Sequence, residues 1–144
     1  EDVREQHFNA GRYYHPIEVK GAKFNRRTIY RFSPRGARDA LLDTFDCPDP
    51  STKTPRRAVT TTPLQALSLL NSNFVLRMAD RLSARVRRET DNTLPARIRL
   101  AFRLCFARPP TATEAETSLS FAKRHGLPAL ARVLFNSNEF LYVD

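Results

Sequence analysis

Glycine and cysteine are both scarce in this chain, and their scarcity excludes several kinds of site. Only 4 of the 144 residues are Gly, so the sequence lacks the glycine-rich loops that hold phosphate groups. The 2 Cys residues are too few for a disulfide framework and match neither a haem-attachment motif nor a zinc site. A Cys47–Cys105 disulfide is an alternative in an oxidising compartment. Leu104 and Phe106 beside Cys105 instead favour a buried cysteine that acts as a small hydrophobic residue. The sequence therefore predicts no cofactor in this chain and no metal site.

Catalytic signatures and long apolar runs are also absent. His7, His15 and His125 show no metal-ligand spacing, and no Ser or Cys stands in the setting of an activated nucleophile. We therefore predict no catalytic residue of an autonomous enzyme. No apolar run approaches the roughly 20 residues of a transmembrane helix, so no transmembrane segment is predicted. Nothing near Glu1 resembles a signal peptide, and a first residue other than Met leads us to expect a piece of a longer protein.

Arginine determines the charge of the chain. It supplies 20 of the 24 basic side chains, and the net charge is +9 at pH 7. Between Thr52 and Arg132 there are 15 basic side chains against 5 acidic ones. Such a field attracts anionic partners, namely acidic polysaccharide, nucleic acid, lipid headgroups or an acidic protein surface. The other interpretation is that these charges only solvate the surface.

The order of apolar residues and of helix-breaking prolines and glycines predicts a mainly α fold with an extended N-terminal segment at 1–35. His15 precedes a proline, which favours extended backbone, and Pro34 and Gly36 then interrupt the chain. We predict a helical domain over 36–144, containing five or six helices in an irregular bundle.

Local start and stop signals place these helices. Thr62 and Pro63 suit an N-cap and a first helical position, and a helix is predicted from there to about Arg88, with a break plausible at Asn71-Ser72-Asn73. Its predicted inner face contains Leu64, Leu67, Leu70, Phe74, Met78, Leu82 and Val86. Thr93 is predicted to cap the next helix, which Pro109-Pro110 stops. Further helices are predicted from the Thr111–Glu114 capping box to Gly126 and over 127–135.

The chain closes on an apolar tail at 139–144. Its four apolar residues, Phe140 to Val143, would be unfavourable in water. We therefore predict a docked C-terminal tail that covers the inner face of the Leu64–Phe74 helix.

An arginine stripe occupies the second half of the long predicted helix. Arg77, Arg81, Arg85 and Arg88 recur at intervals of four, four and three, so they share one helix face. Each guanidinium can bind a carboxylate, sulfate or phosphate through two N–H groups. Aromatic residues are nearly absent from this face, which disfavours single-stranded nucleic acid. The stripe is a candidate anion-binding site, and a merely solvated face is the alternative.

A second candidate is the loop constellation of Asp46, Asp49, Arg56 and Arg57. The two carboxylates lie three residues apart around Pro48, close enough to face one ligand. General acid–base chemistry and calcium binding both use such carboxylates. The structural interpretation is that Asp46 caps a turn while Asp49 pairs with Arg56 or Arg57.

Several short sequence motifs, which we call phrases, resemble those of one family and occur in the same order. They are Arg26–Tyr30, Phe45–Asp49, Arg56-Arg57, Thr62–Asn71 with Phe74, Arg108-Pro109 with Glu114, and Leu134–Asp144. The family is the planctomycete and verrucomicrobial domain of unknown function that closes large secreted proteins, often alongside a cytochrome-c-like domain. The resemblance covers 26–144 and leaves out the first 25 residues. It implies export to the periplasm or cell surface and membership of a larger assembly, and it supplies no catalytic residues.

The sequence thus favours a non-catalytic C-terminal domain of an exported multidomain protein. Its expected partner is the remainder of its parent protein or another member of an assembly. One alternative is a binding module for an acidic polymer, polysaccharide before nucleic acid, through the arginine stripe. The other is an enzyme fragment that lends Asp46 or Asp49 to a site completed by other residues.

Overall fold

The computed structural model of the chain describes residues 3–8, 11–16, 27–30, 39–49, 52–56 and 58–142. Its backbone contacts divide the chain into two units, 1–62 and 63–144. The predicted domain boundary between residues 35 and 36 lies outside the described residues and stays a prediction.

The first unit begins with extended chain, as predicted. Strands β1 (Val3–Phe8) and β2 (Gly11–Pro16) pair antiparallel. A short 3-10 helix follows at Thr28–Tyr30, and α1 spans Ala40–Thr44. Asp39 caps α1, because its carboxylate accepts hydrogen bonds from the first free backbone N–H groups of the helix.

The second unit is entirely helical over its described residues. Its elements are α2 (Pro63–Asn71), α3 (Asn73–Glu89), α4 (Leu94–Phe106), α5 (Ala112–His125), α6 (Leu127–Phe135) and α7 (Asn138–Leu141). With α1, the described residues form seven α-helices, of which five have nine residues or more. The predicted mainly α fold is therefore confirmed.

Helix boundaries follow the local signals closely. Pro63 is the first residue of α2, and Ser72 separates α2 from α3, which confirms the predicted break. At the start of α5 the Thr111 hydroxyl accepts a hydrogen bond from the Glu114 N–H, and the Glu114 carboxylate accepts one from the Thr111 N–H. Gly126 ends α5 with a φ of 85°, a backbone conformation that glycine adopts without strain.

The core of the second unit lies where α3, α4, α5 and α6 meet. The most extensive helix contact in this unit is between α3 and α6. Val86, Ile98, Phe102, Leu130 and Leu134 are each 5% exposed or less. Full burial of one such side chain stabilises the fold by about 1.5–3 kcal/mol.

The buried face of α3 differs from the prediction by one residue. The sequence predicts an inner face of Phe74, Met78, Leu82 and Val86. The structure buries Val75 and Ala79 together with Ser83 and Val86, whereas Phe74 is 50% exposed. Residues 74, 78 and 82 form one row along this helix and residues 75, 79 and 83 the next, and both rows contain apolar side chains. The buried row includes Ser83, which an apolar pattern does not detect.

The same correction applies to α2. Leu64 and Leu67, predicted to face inward, are 64% and 55% exposed. The buried residues of this helix are Gln65 and Leu69, which lie four positions apart on another face.

The C-terminal tail docks, but against other helices than predicted. Residues 138–141 form α7, which packs against α4 and α6 and has no contact with α2. The Phe140 ring lies 5.0 Å from the Phe135 ring, centroid to centroid. The predicted cover of the Leu64–Phe74 segment is therefore wrong. Val143 lies outside the described residues.

The predicted N-cap of α4 is confirmed in its position but not in its hydrogen bond. Thr93 occupies the N-cap position, yet its side chain makes no capping hydrogen bond. At the other end α4 stops at Phe106, before the prolines, and Ala107 turns the chain in the left-handed region with a φ of 58°. This turn places Arg108 beside the start of α5.

The two threonine caps give a matched test. Thr111→Ala removes the acceptor of a capping bond and should lower the free energy of unfolding by about 1 kcal/mol. Thr93→Ala, at a cap position without such a bond, should cost less than half as much. Urea unfolding followed by circular dichroism measures both values. Equal losses in the two variants would contradict the assigned caps.

Candidate functional site

The arginine stripe lies on the outer side of α3. Val75, Ala79 and Val86 define the buried side. At about 100° per residue, Arg77, Arg81 and Arg88 fall within about 40° of the opposite direction, and Arg85 flanks them. Packing of α3 into the core thus turns the stripe outward. The outward direction holds although the predicted apolar row is displaced by one residue.

The side chains of the stripe differ in exposure and in pairing. Arg81 is exposed, and the side chains of Arg85 and Arg88 are 52% and 78% exposed. Arg85 Nε lies 3.1 Å and Arg88 Nη2 lies 3.3 Å from Glu89 Oε1. Arg77 is half-buried and has contacts of its own. Arg81, Arg85 and Arg88 are therefore the members of the stripe that a ligand can reach.

Glu89 is the acidic end of the stripe. Its hydrogen bond from Arg85, followed by that from Arg88, holds the pKa of this carboxylate below its ordinary value. Exposed pairs of this kind are weak, and they are screened by salt. An anion that binds Arg85 or Arg88 must therefore compete with the Glu89 carboxylate.

The loop constellation shows one defined anchor. Asp46 adopts a left-handed φ of 58°, and its Oδ2 accepts the Thr60 N–H at 2.7 Å. The Thr60 hydroxyl adds contacts of 3.0 Å to both carboxylate oxygens. Asp46 is thus hydrogen-bonded to the far end of the loop that follows it, and the predicted cap of a turn stays a prediction.

The other members of the loop constellation are less informative. The Asp49 carbonyl accepts the Thr52 N–H at 3.3 Å. Arg56 is exposed. Arg57 lies outside the described residues. The proposed pairing of Asp49 with Arg56 or Arg57 stays a prediction.

A polar cluster that was not predicted as a site is centred on Arg108. Its Nη1 and Nη2 each lie 2.8 Å from one carboxylate oxygen of Glu114. Its Nε and Nη2 each lie 2.7 Å from one carboxylate oxygen of Glu139. Nη1 also donates to the Pro109 carbonyl at 3.2 Å. These contacts use all five N–H groups that a guanidinium has.

We call Arg108, Glu114 and Glu139 the arginine clip, since they fasten α7 to the start of α5. The guanidinium carbon lies 6.0 Å from the Phe102 ring centre and 5.7 Å from that of Phe106, and such aromatic faces attract cations. The Arg108 hydrogen bonds lower the pKa of Glu114 to about 2 and also lower that of Glu139. Because its donors are occupied, the clip holds structure together and offers no site for a ligand.

Part of the clip could be read from the sequence. Arg108 and Glu114 lie six residues apart inside one phrase of the family resemblance, and the capping box already singles out Glu114. Glu139 lies 31 residues from Arg108, and no local pattern joins positions so distant.

The remaining chemistry of the described residues is sparse. Both cysteines are free, and burial raises the pKa of the Cys105 thiol to about 11, so it stays protonated and packs against the core. No group of three potential metal ligands occurs among the described residues. No helix in the described part of the chain is long and apolar enough to cross a membrane. Open depressions on α5, lined by Glu116, Ser120 and Arg124, contain none of the predicted site residues.

The geometry defines a small helical domain with a basic outer face and a clipped C-terminal helix. The model of the PSD1 family, a protein of unknown function (DUF1553), matches residues 3–122, and the chain belongs to this family. The match begins at residue 3, so it includes all but the first two of the 25 residues that the resemblance left out, and it ends within α5. No curated protein and no solved structure matches the chain.

The clip predicts a pH-dependent contribution to stability. A carboxylate with a lowered pKa stabilises the fold fully above its ordinary value of 4.5, and loses this effect as the pH falls to about 2. Glu114→Gln keeps a residue suited to the capping box but removes the ion pair. We expect this variant to unfold at lower urea than the parent chain at pH 7, and the difference to shrink as the pH falls from 4.5 towards 2.

Glu116→Gln is the matched control, because Glu116 is exposed on the same helix. Its urea midpoint should stay close to that of the parent at pH 7. A Glu114→Gln effect that is independent of pH would show that the ion pair does not stabilise the fold.

Proposed function

We propose that this chain is a non-catalytic interaction domain of a larger exported protein, and that it binds an acidic partner through the arginine stripe. One observation carries the proposal: Arg81, Arg85 and Arg88 project outward from a helix whose opposite side is packed into the core. Their helix is packed into the core, so its backbone sets the spacing of the three arginines along the helix axis. The helix backbone therefore needs no ordering on binding, although each exposed arginine side chain loses rotamer freedom.

The cellular setting rests on the resemblance of the quoted phrases. It supports a planctomycete or verrucomicrobial parent protein with a cytochrome-c-like domain nearby, and a place in the periplasm or at the cell surface. The acidic partner is then the remainder of that parent protein or another member of its assembly. The net charge of +9 supports an anionic partner of either kind.

Two other functions are less well supported. An acidic polysaccharide would use the same stripe. It is favoured over single-stranded nucleic acid because α3 has a single aromatic residue, Phe74, on which a base could stack. An enzyme fragment would need Asp46 or Asp49 at a reacting group. Because the Asp46 carboxylate is bonded to Thr60, a role in fixing the loop is the simpler account.

Retention on immobilised heparin, used as a polyanion probe, tests the proposal. The parent chain should be retained and should elute with a steep dependence on salt. The double variant Arg81→Gln/Arg88→Gln should elute at lower salt. The slope of log binding constant against log salt concentration should become shallower by about 1 to 2, since each lost cationic contact removes about one unit.

The control is Lys123→Gln/Arg124→Gln, which removes the same charge from exposed positions on α5. If the stripe is the binding site, this variant should elute close to the parent. Equal losses of retention in the two double variants would mean that only net charge matters, and the proposed site would be wrong.

A further inference from the structure

We infer that the arginine stripe docks an acidic amphipathic helix of a partner protein. The inference rests on the proposed function and adds the chemistry and secondary structure of the partner. A uniformly charged polymer is the competing occupant of the same surface.

The spacing of the stripe suits a second helix. Along the axis of α3, Arg81 and Arg85 are about 6 Å apart, and Arg85 and Arg88 about 4.5 Å, from the rise of 1.5 Å per residue. A helix lying alongside has the same rise, so carboxylates at every third or fourth residue recur at the same distances. Each arginine can then meet one carboxylate with two parallel hydrogen bonds.

Phe74 supplies an apolar contact at one end of the stripe. It lies seven residues before Arg81, and therefore on the same face two turns away. Half of this side chain is exposed, and covering it would remove apolar surface from water. A helix can place an apolar residue beside its acidic ones, whereas a uniformly anionic chain has no apolar group for this position.

Glu89 marks the other end of the stripe. Its carboxylate, paired with Arg85 and Arg88, remains 36% exposed. A uniformly anionic chain that runs along the stripe meets this negative charge. A helix can present a neutral or basic residue opposite Glu89. The carboxylate therefore disfavours a polyanion of uniform charge, and it fixes the register of a helix whose acidic residues match the spacing of the stripe.

Two synthetic peptides of identical composition test the inference against the full 144-residue chain. Both are Ala-rich, with equal helix content checked by circular dichroism. The patterned peptide has Glu at intervals of three and four residues on one face, with Leu at one end of that row. The scrambled peptide distributes the same residues around the helix. Fluorescence anisotropy should show that the patterned peptide binds about tenfold more tightly, since several weak pairs add.

Three variants locate the contact. Arg81→Gln/Arg88→Gln should abolish the preference for the patterned peptide, and Lys123→Gln/Arg124→Gln should preserve it. Phe74→Ser should weaken the patterned peptide but leave retention on heparin unchanged, because heparin makes no use of the ring. Circular dichroism confirms that each variant is folded.

Equal affinities for the two peptides would overturn the inference, as would a preference that survives Arg81→Gln/Arg88→Gln. The proposed function would still stand in the first case if heparin retention falls only in the stripe variant. Unchanged heparin retention in that variant would instead overturn the proposed function itself.

Discussion

The packing of α3 against α6 is the contact on which the architecture of the second unit depends. Val86 of α3 packs in one core cluster with Leu130 and Leu134 of α6, and Val75 and Ala79 are buried on the same side of α3. Because helix geometry fixes the angle between successive residues, burial of this side leaves the arginines on the other. The core and the candidate binding surface are therefore two sides of one helix, and a change that rotates α3 would disturb both.

The arginine clip completes the C-terminal end of this unit. Arg108 binds the carboxylates of Glu114 and Glu139, so it connects the residue after the α4 turn to the start of α5 and to α7. The clip and the stripe show how differently arginine is used in one chain. In the clip every donor has a protein acceptor, while Arg88 keeps most of its side chain in solvent.

Features fixed by local chemistry were predictable from the sequence. The capping box at Thr111 and Glu114, the turn at Gly126 and the break at Ser72 each depend on neighbours within four residues, and the structure has all three. The outward position of the stripe also followed from periodicity alone. It needed only the spacing of the arginines and one packed side of the helix.

Features that depend on distant contacts were not predictable. Phe74 and Val75 are both apolar, so periodicity does not tell which of their rows faces the core, and the packing partner α6 decides it. The tail was predicted to cover α2. Instead, Glu139 forms an ion pair with Arg108, 31 residues away. Asp46 similarly bonds to Thr60, 14 positions further along the chain. In each case the partner lies outside any local sequence pattern.

The most direct test of the account is to observe the arginine side-chain Nε–H signals by NMR while a short heparin oligosaccharide is added. If the stripe is the binding surface, the signals of Arg81, Arg85 and Arg88 should shift together and saturate. The Arg108 signal should stay unchanged, because its N–H groups are already bound to Glu114, Glu139 and the Pro109 carbonyl. Shifts confined to Arg99 and Arg103 on α4, or spread equally over all exposed arginines, would contradict the claim that the stripe is the binding surface.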